Sequence, residues 1–307
     1  MKFDRLLVTT DLSEVSRAAC VHAADLGQRL GAPITFLFVD ELARVGLEAG
    51  EEDLAEFVAH ADEARRAGAE ALRGALAAQG LPEPHLVVIP GHAAEAVVDY
   101  AVKHAFPLIV AARRSRATLD EHLLGSTARK LLRDAPMPVL ILPARGDAPP
   151  AAPRAAELGP VLAPTDLHAT SLAGVRVARE LASALGATLL AVNVVDFPSV
   201  TDLMVTAPNE LLTRVSRRIK LRAVESLRAH LQPLGLADRE QRVINGPSPA
   251  EAVSALADHL EASLVVLPAT TKGVLARFFL GSTSTRLVKI AKRPVLVMPE
   301  RWLVGAP

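Results

Sequence analysis

Leu6-Leu7-Val8-Thr9-Thr10-Asp11-Leu12 lies over Val161-Leu162-Ala163-Pro164-Thr165-Asp166-Leu167 at a spacing of 155 residues. The pair Gly31-Ala32 falls on Gly186-Ala187 at the same spacing. Further on, Ala94-Glu95-Ala96-Val97 matches Ala250-Glu251-Ala252-Val253 at 156. Gly125-Ser126-Thr127 over Gly281-Ser282-Thr283 keeps that spacing, as does Pro138-Val139-Leu140 over Pro294-Val295-Leu296. The register therefore slips by one residue, most simply near Gly91 and Gly246. One match would mean little, but matches in order over most of both halves indicate a duplicated domain.

Working outward, short β-rich runs alternate with longer helical patterns. In the first half, strands are expected at Leu6–Thr9, Ile34–Val39, Leu86–Ile89, Leu108–Ala111 and Val139–Leu142. Helices fall near 14–30, 52–79, 93–104 and 126–134. The second half repeats this with strands at Val161–Ala163, Thr188–Val194, Gln241–Ile244, Leu264–Leu267 and Val295–Met298. Continuous apolar strands separated by helices imply parallel sheets covered on both faces, hence two doubly wound α/β domains. Such folds bind ligands at the carboxyl ends of their strands. The stretch from Arg145 to Pro153 is Pro- and Ala-rich without periodicity, so a linker is expected at 145–157, between domains at 1–144 and 158–307.

Composition agrees with this. The 307 residues are about twice a usual domain, and half are hydrophobic. Basic and acidic residues balance at 34 each, and aromatics make up 3%. The strong positive excess of a nucleic-acid binder is thus absent, as are many platforms for stacking bases. Cys20 is the single cysteine, which excludes an intrachain disulfide and a cysteine-rich metal site. No apolar run is long enough to span a membrane, and the N-terminus lacks a signal-peptide layout. A cytoplasmic protein without nucleic-acid binding or membrane insertion is the expectation.

At the strand ends, Asp11 and Asp166 each follow the first strand of a half, where a carboxylate can receive a ligand or cap the next helix. Ser13, Ser16 and Ser171 are alternative caps. Gly125-Ser126-Thr127 and Gly281-Ser282-Thr283 each open a helix that leads to a final apolar strand. Glycine permits close backbone approach, and amides at a helix start suit an anion; ordinary N-capping explains the same residues.

Together these features resemble the universal stress protein family in its tandem form. The resemblance spans nearly the whole chain outside the linker, the extreme C-terminus and the stretch at 196–207. It implies flavodoxin-like (adenine nucleotide alpha hydrolase-like) domains, each with five parallel strands in the order 3-2-1-4-5. It further implies cytoplasmic location, pairing of domains through the last strand and, in one subclass, ATP at the strand ends.

That subclass carries glycine, two residues, glycine, nine residues, then glycine followed by Ser or Thr. Counting back from Gly125 puts the first two glycines at Ala112 and Ser115; from Gly281 they fall at Pro268 and Thr271. Only the last glycine and its Ser-Thr remain in each half. Ala112 and Ser115 are small, and Arg113, Arg114 and Arg116 offer cationic contacts to phosphate. Pro268 has no N–H and Thr271 is stiff, so the second site is the more damaged. For the adenine end, Asp11 and Val39 match in the first half, and Pro164, Asp166 and Val194 in the second. Two readings stay open. One is a regulatory protein binding ATP or another adenine nucleotide, with or without Mg, through Asp11, Val39, Ala112, Arg113, Ser115, Gly125, Ser126 and Thr127. Less favoured is the second-half set Pro164, Asp166, Val194, Thr271, Gly281, Ser282 and Thr283. The other reading is an interaction scaffold that binds no nucleotide, meeting an unidentified protein or a second copy of itself.

Rival chemistries are weaker. Gly246-Pro247-Ser248-Pro249-Ala250 is one residue from a nucleophile elbow. Ser248 with Glu251 also fits a capping box, with Pro249 in the first turn. No two histidines have the i, i+4 spacing of a helical zinc motif. Cys20 sits in a helix among small apolar residues, as buried packing does. The basic run Arg214, Arg217, Arg218, Lys220, Arg222 and Arg228 fits a solvated helix face. Arg277-Phe278-Phe279-Leu280 is expected to pack under a loop. With no dedicated base or metal motif, any ATP hydrolysis would be slow and incidental, and a dedicated enzyme is not expected.

Overall fold

The computed structural model describes residues 3–41, 51–114, 124–143, 158–195, 209–269 and 281–304; for 51–57, 209–213 and 304 it describes the backbone alone. The chain divides into two compact units, Lys2–Pro153 and Arg154–Pro307. The expected linker, the loop residues Ser115 and Arg116, the stretch at 196–207, Thr271 and the Arg277–Leu280 segment lie outside the described residues.

The first unit alternates strand and helix: β1 (Leu6–Thr10), α1 (Glu14–Leu30), β2 (Ile34–Asp40), α2 (Glu51–Ala78), β3 (His85–Pro90), α3 (Ala93–Lys103), β4 (Ile109–Ala112), α4 (Ser126–Asp134) and β5 (Val139–Leu142). Its strands lie in the order β3-β2-β1-β4-β5 and all pair in parallel. The order follows from crossovers that run from the central strand first to one edge and then to the other. β1 and β4 are buried on both faces, as the apolar runs Leu6-Leu7-Val8 and Ile109-Val110-Ala111 require.

Helix α1 shows how local residues set an element. Ser13 caps it, its side chain accepting from the Ser16 amide, and Gly31 ends it in the left-handed conformation at φ 63°. Its buried stripe is made of small residues, Ser16, Cys20, Ala23, Ala24 and Gly27, which let the helix lie close to the sheet. Helix α2 buries Leu72 and Leu76, one turn apart; each such leucine contributes about 1.5–3 kcal/mol.

The second unit repeats the pattern: β6 (Val161–Thr165), α5 (Ala169–Leu185), β7 (Leu189–Val195), α6 (Asn209–Leu231), β8 (Gln241–Asn245), α7 (Pro249–His259), β9 (Leu264–Ala269), α8 (Ser282–Ile290), β10 (Val295–Pro299) and a last turn, α9 (Glu300–Val304). Its strands lie in the order β8-β7-β6-β9-β10, again parallel. Gly186 ends α5 at φ 67° as Gly31 ends α1.

The slip in register has a location. Asp40 pairs with Pro90 and Val195 with Asn245, so the halves are still 155 apart at the ends of β3 and β8. The N-caps that follow, His92 and Ser248, are already 156 apart. The extra residue is therefore in the turn Gly246-Pro247-Ser248, between β8 and α7.

Candidate functional site

Asp11, Val39 and Ala112 sit at the carboxyl ends of three neighbouring strands. β1 lies between β2 and β4, and Thr10 pairs with Phe38 while Val8 pairs with Val110. Asp11 and Val39 are each one residue beyond that Thr10–Phe38 level, and Ala112 is two beyond Val110. The three sequence-selected positions thus share one end of the sheet.

The ladder between β1 and β4 is short. It carries Leu7↔Ile109 and Val8↔Val110 and stops, whereas the β1–β2 ladder runs on to Thr10↔Phe38. β1 and β4 part there, leaving Thr9, Thr10, Ala111 and Ala112 beyond their shared ladder. This is the switch point of the strand order, where an open α/β sheet forms its crevice. Arg113, which follows Ala112, is buried; its amide donates to Leu142 O at 2.7 Å, and its carbonyl accepts from Gly125 N at 2.8 Å. That last bond fastens the start of α4 to the end of β4. A Cβ on Gly125 would stand 3.2 Å from Arg113 O, so this glycine serves a close backbone approach. No side chain caps α4 at Gly125; Ser126 is exposed and Thr127 half-buried on the first turn. An anion would meet uncapped amides and two hydroxyls there.

The carboxylates do structural work. Asp11 Oδ1 accepts from Ser13 N at 3.1 Å and Asp166 Oδ1 from His168 N at 3.1 Å. Both close a turn around a residue in the left-handed region, Leu12 at φ 62° and Leu167 at φ 66°. Both remain exposed, with a second oxygen available. Ser171 is not a cap: its hydroxyl bonds Thr165 Oγ1 and His168 O. Nearby, burial lowers the His230 imidazole below its ordinary range, with Asp166 acting in the opposite direction.

In the second half the β6–β9 ladder likewise stops early, at Leu162↔Val265. Here Pro164 and Pro268 both lie beyond it, so two amide donors are missing from the crevice. The ring of Pro268 instead packs on α5: a Cβ on Gly174 would meet its Cδ at 3.1 Å. Asn193 Nδ2 donates to Thr165 O at 2.9 Å and Ser284 Oγ to Pro268 O at 3.4 Å. Phe38 and Ala128 stand at those places in the first half and can do neither. Val194 is half-buried, Gly281 begins α8 without a side-chain cap, and Ser282 and Thr283 are exposed.

Sequence reasoning missed these internal donors, since nothing local to Asn193 or Ser284 marks them. Helix capping also differed from expectation. Ser248 is at the N-cap of α7 but makes no side-chain cap bond, and Glu251 pairs with Arg286 of α8 instead of reaching back. The capping box is not formed because an opposite charge on a neighbouring helix competes for the carboxylate. At α3, Glu41 Oε1 accepts from Ala93 N at 2.9 Å, a cap delivered from β2's end.

Comparison with known proteins identifies the kind of domain. A family model described as "Universal stress protein family" matches residues 2–143 and again 157–299. The chain belongs to the universal stress protein family. It has the tandem form, one family domain in each half. A universal stress protein of Methanocaldococcus jannaschii is 28% identical over 145 residues, covering 46% of this chain and 82% of that protein. One from Thermus aquaticus is 30% identical over 141 residues, covering 46% of this chain and 98% of its own length. Those relatives thus correspond to one half. The structure of a universal stress protein from Archaeoglobus fulgidus matches throughout, with TM-score 0.63, 19% identity and 97% of each chain covered. A Pseudomonas aeruginosa protein described as functionally unknown has TM-score 0.63 and 17% identity, over 98% of this chain and 94% of its own. At such identities the likeness shows the fold.

Among the described residues no helix is long and apolar enough to cross a membrane, and no three His, Cys, Asp or Glu side chains are grouped to hold a metal.

Proposed function

We propose that this tandem universal stress protein is a cytoplasmic regulatory binding protein whose first half takes an adenine nucleotide at the carboxyl ends of β1, β2 and β4. The observation that carries the reading is the early end of the β1–β4 ladder beside an uncapped α4. Thr9 and Ala112 both keep their N–H groups there, unlike their counterparts Pro164 and Pro268 in the second half. The phosphates lie at Gly125, Ser126 and Thr127, with Arg113 alongside. The adenine lies by Asp11 and Val39. The lost glycines make the site weaker than a full phosphate loop would be.

The second half acts as scaffold on this reading. Its prolines remove donors, and Asn193 and Ser284 occupy groups that a ligand would need. The set Pro164, Asp166, Val194, Thr271, Gly281, Ser282 and Thr283 therefore holds no nucleotide.

Denaturing extraction of the purified protein with mass spectrometry, then ATP calorimetry on the stripped protein, tests both statements. One adenine nucleotide per chain, with binding lost in Ser126→Ala/Thr127→Ala and kept in Ser282→Ala/Thr283→Ala, is expected. No released nucleotide and no heat up to millimolar ATP would leave both halves as scaffold.

A further inference from the structure

A second cavity lies at the other end of the second unit, around the amino ends of β6, β7 and β8. Its volume is about 700 Å3, within the range of small-molecule sites. Pro160, Leu189 and Leu260 give it an apolar part, and Arg179, Arg239 and Arg242 line it as well. Arg179 is anchored: its Nη1 donates to Leu234 O at 2.6 Å, which leaves its other N–H groups for a ligand. Arg239 and Arg242 are exposed and form no ion pair among the described residues.

Two carboxylates share the lining, and each has a partner. Asp238 is held by Arg228, with bonds of 3.2 and 3.0 Å, and Glu240 accepts from Ala237 N at 2.7 Å. With Arg228 balancing Asp238, the cavity carries an excess of positive charge. The carboxyl end of α5 also faces this region, and a helix end of that polarity repels anions. Positive charge here has to come from side chains.

The duplication supplies a control. At the spacing of 155 residues, Arg179, Arg239 and Arg242 correspond to Ala24, Pro84 and Val87. Ser183 and Thr188, two hydroxyls in the same lining, correspond to Gln28 and Pro33. The first half builds the same strands and helices without any of these residues, so the fold does not call for them. One anchored and two exposed arginines beside hydroxyls over an apolar surface suit a phosphoryl or carboxylate head on an apolar body.

We propose that the second unit binds a small organic anion of this kind between Arg179, Arg239 and Arg242, at a site separate from the strand carboxyl ends. Calorimetry of the full chain with phenyl phosphate and with inorganic pyrophosphate at low salt tests it. The arginine variants are compared in the Ser126→Asp chain, where the phosphate end of the first half is blocked, and saturable binding of the probe is expected to persist there. Arg239→Ala and Arg242→Val should each weaken it about tenfold, and Arg242→Lys less. Added salt should weaken it further. Circular dichroism shows which variants are folded; Arg239→Ala replaces an exposed turn residue and keeps the test decisive if Arg242→Val does not fold. No saturable heat with either probe, unchanged binding in the arginine variants, or complete loss of binding in Ser126→Asp would each overturn the proposal.

Discussion

Thr10 and Ser16 share a 2.8 Å hydrogen bond between their side-chain oxygens, and Thr165 and Ser171 share one of 2.8 Å. Thr10 Oγ1 also accepts from Leu12 N at 3.0 Å, and Thr165 Oγ1 from Leu167 N at 3.1 Å. One buried hydroxyl thus joins the end of a strand, the left-handed residue after it and the first turn of the next helix. A non-glycine residue with positive φ costs about 1–3 kcal/mol and persists only where its surroundings hold it. Thr10→Val keeps the shape and removes both bonds, leaving polar partners buried. It should cost about 1–3 kcal/mol in urea unfolding, and Thr165→Val a similar amount. An unchanged midpoint in either variant would show that the Asx turn alone holds the strand end.

At Ser126, fold and ligand have opposite requirements. It is the first residue of α4, exposed, on a turn that no side chain caps. A carboxylate there meets the positive end of the helix and should stabilise it by about 0.3–1 kcal/mol. The same charge repels phosphate. Ser126→Asp should therefore raise the melting temperature slightly and abolish ATP binding measured by calorimetry. A rise in stability with binding retained would move the phosphates away from α4.

What could be read in advance, and what could not, divides by distance along the chain. α1 was legible at both ends because Ser13 and Gly31 act on their own helix. The duplication was legible because pairs such as Gly31-Ala32 and Gly186-Ala187 recur at one spacing, and the structure gives the two glycines the same role. Alternation of strand and helix gave the doubly wound parallel sheet, while the strand order came from the family resemblance. The contrast between the two crevices was only half visible. Pro164 and Pro268 announce missing donors in the sequence, whereas Asn193 reaches Thr165 across a strand pair and Ser284 reaches back to β9. Glu41 capping α3 over 52 residues and Glu251 turning to Arg286 are of the same kind. A local pattern states which partners a side chain can take; packing decides which it meets.

Two glycines should respond oppositely to alanine. At Gly159 a Cβ would run into the backbone carbonyl of Glu261, with Leu260 O at 3.0 Å, and backbone cannot swing aside as a side chain can. Gly159→Ala should cost about 1–3 kcal/mol as an overpacked contact. Gly74 lies inside α2 with nothing within 4 Å of the added atom. Gly74→Ala should gain about 0.5–1 kcal/mol from helix propensity and the unfolded chain's lost freedom. Chemical denaturation of the pair checks both signs, and a stabilised Gly159→Ala would mean that the 159–261 approach is looser than its geometry requires.

Cys20 completes the cluster beneath the first strand end. Burial pushes its thiol up to about 12, against weaker lowering by hydrogen bonds with Thr10 and Ser16. An unreactive packing thiol follows, since the thiolate is the nucleophile. Labelling by a disulfide reagent at mildly alkaline pH should be slow and accelerate only with denaturant. The sign of the pH effect is set by the same shift. Below about 9 the thiol is protonated in both folded and unfolded chains. Between about 9 and 12 the unfolded chain releases this proton while the folded chain keeps it, so stability falls as pH rises through that window. Cys20→Ala should flatten that part of the profile. Rapid labelling of the native protein, or an alkaline slope unchanged in Cys20→Ala, would contradict a thiol held protonated by burial.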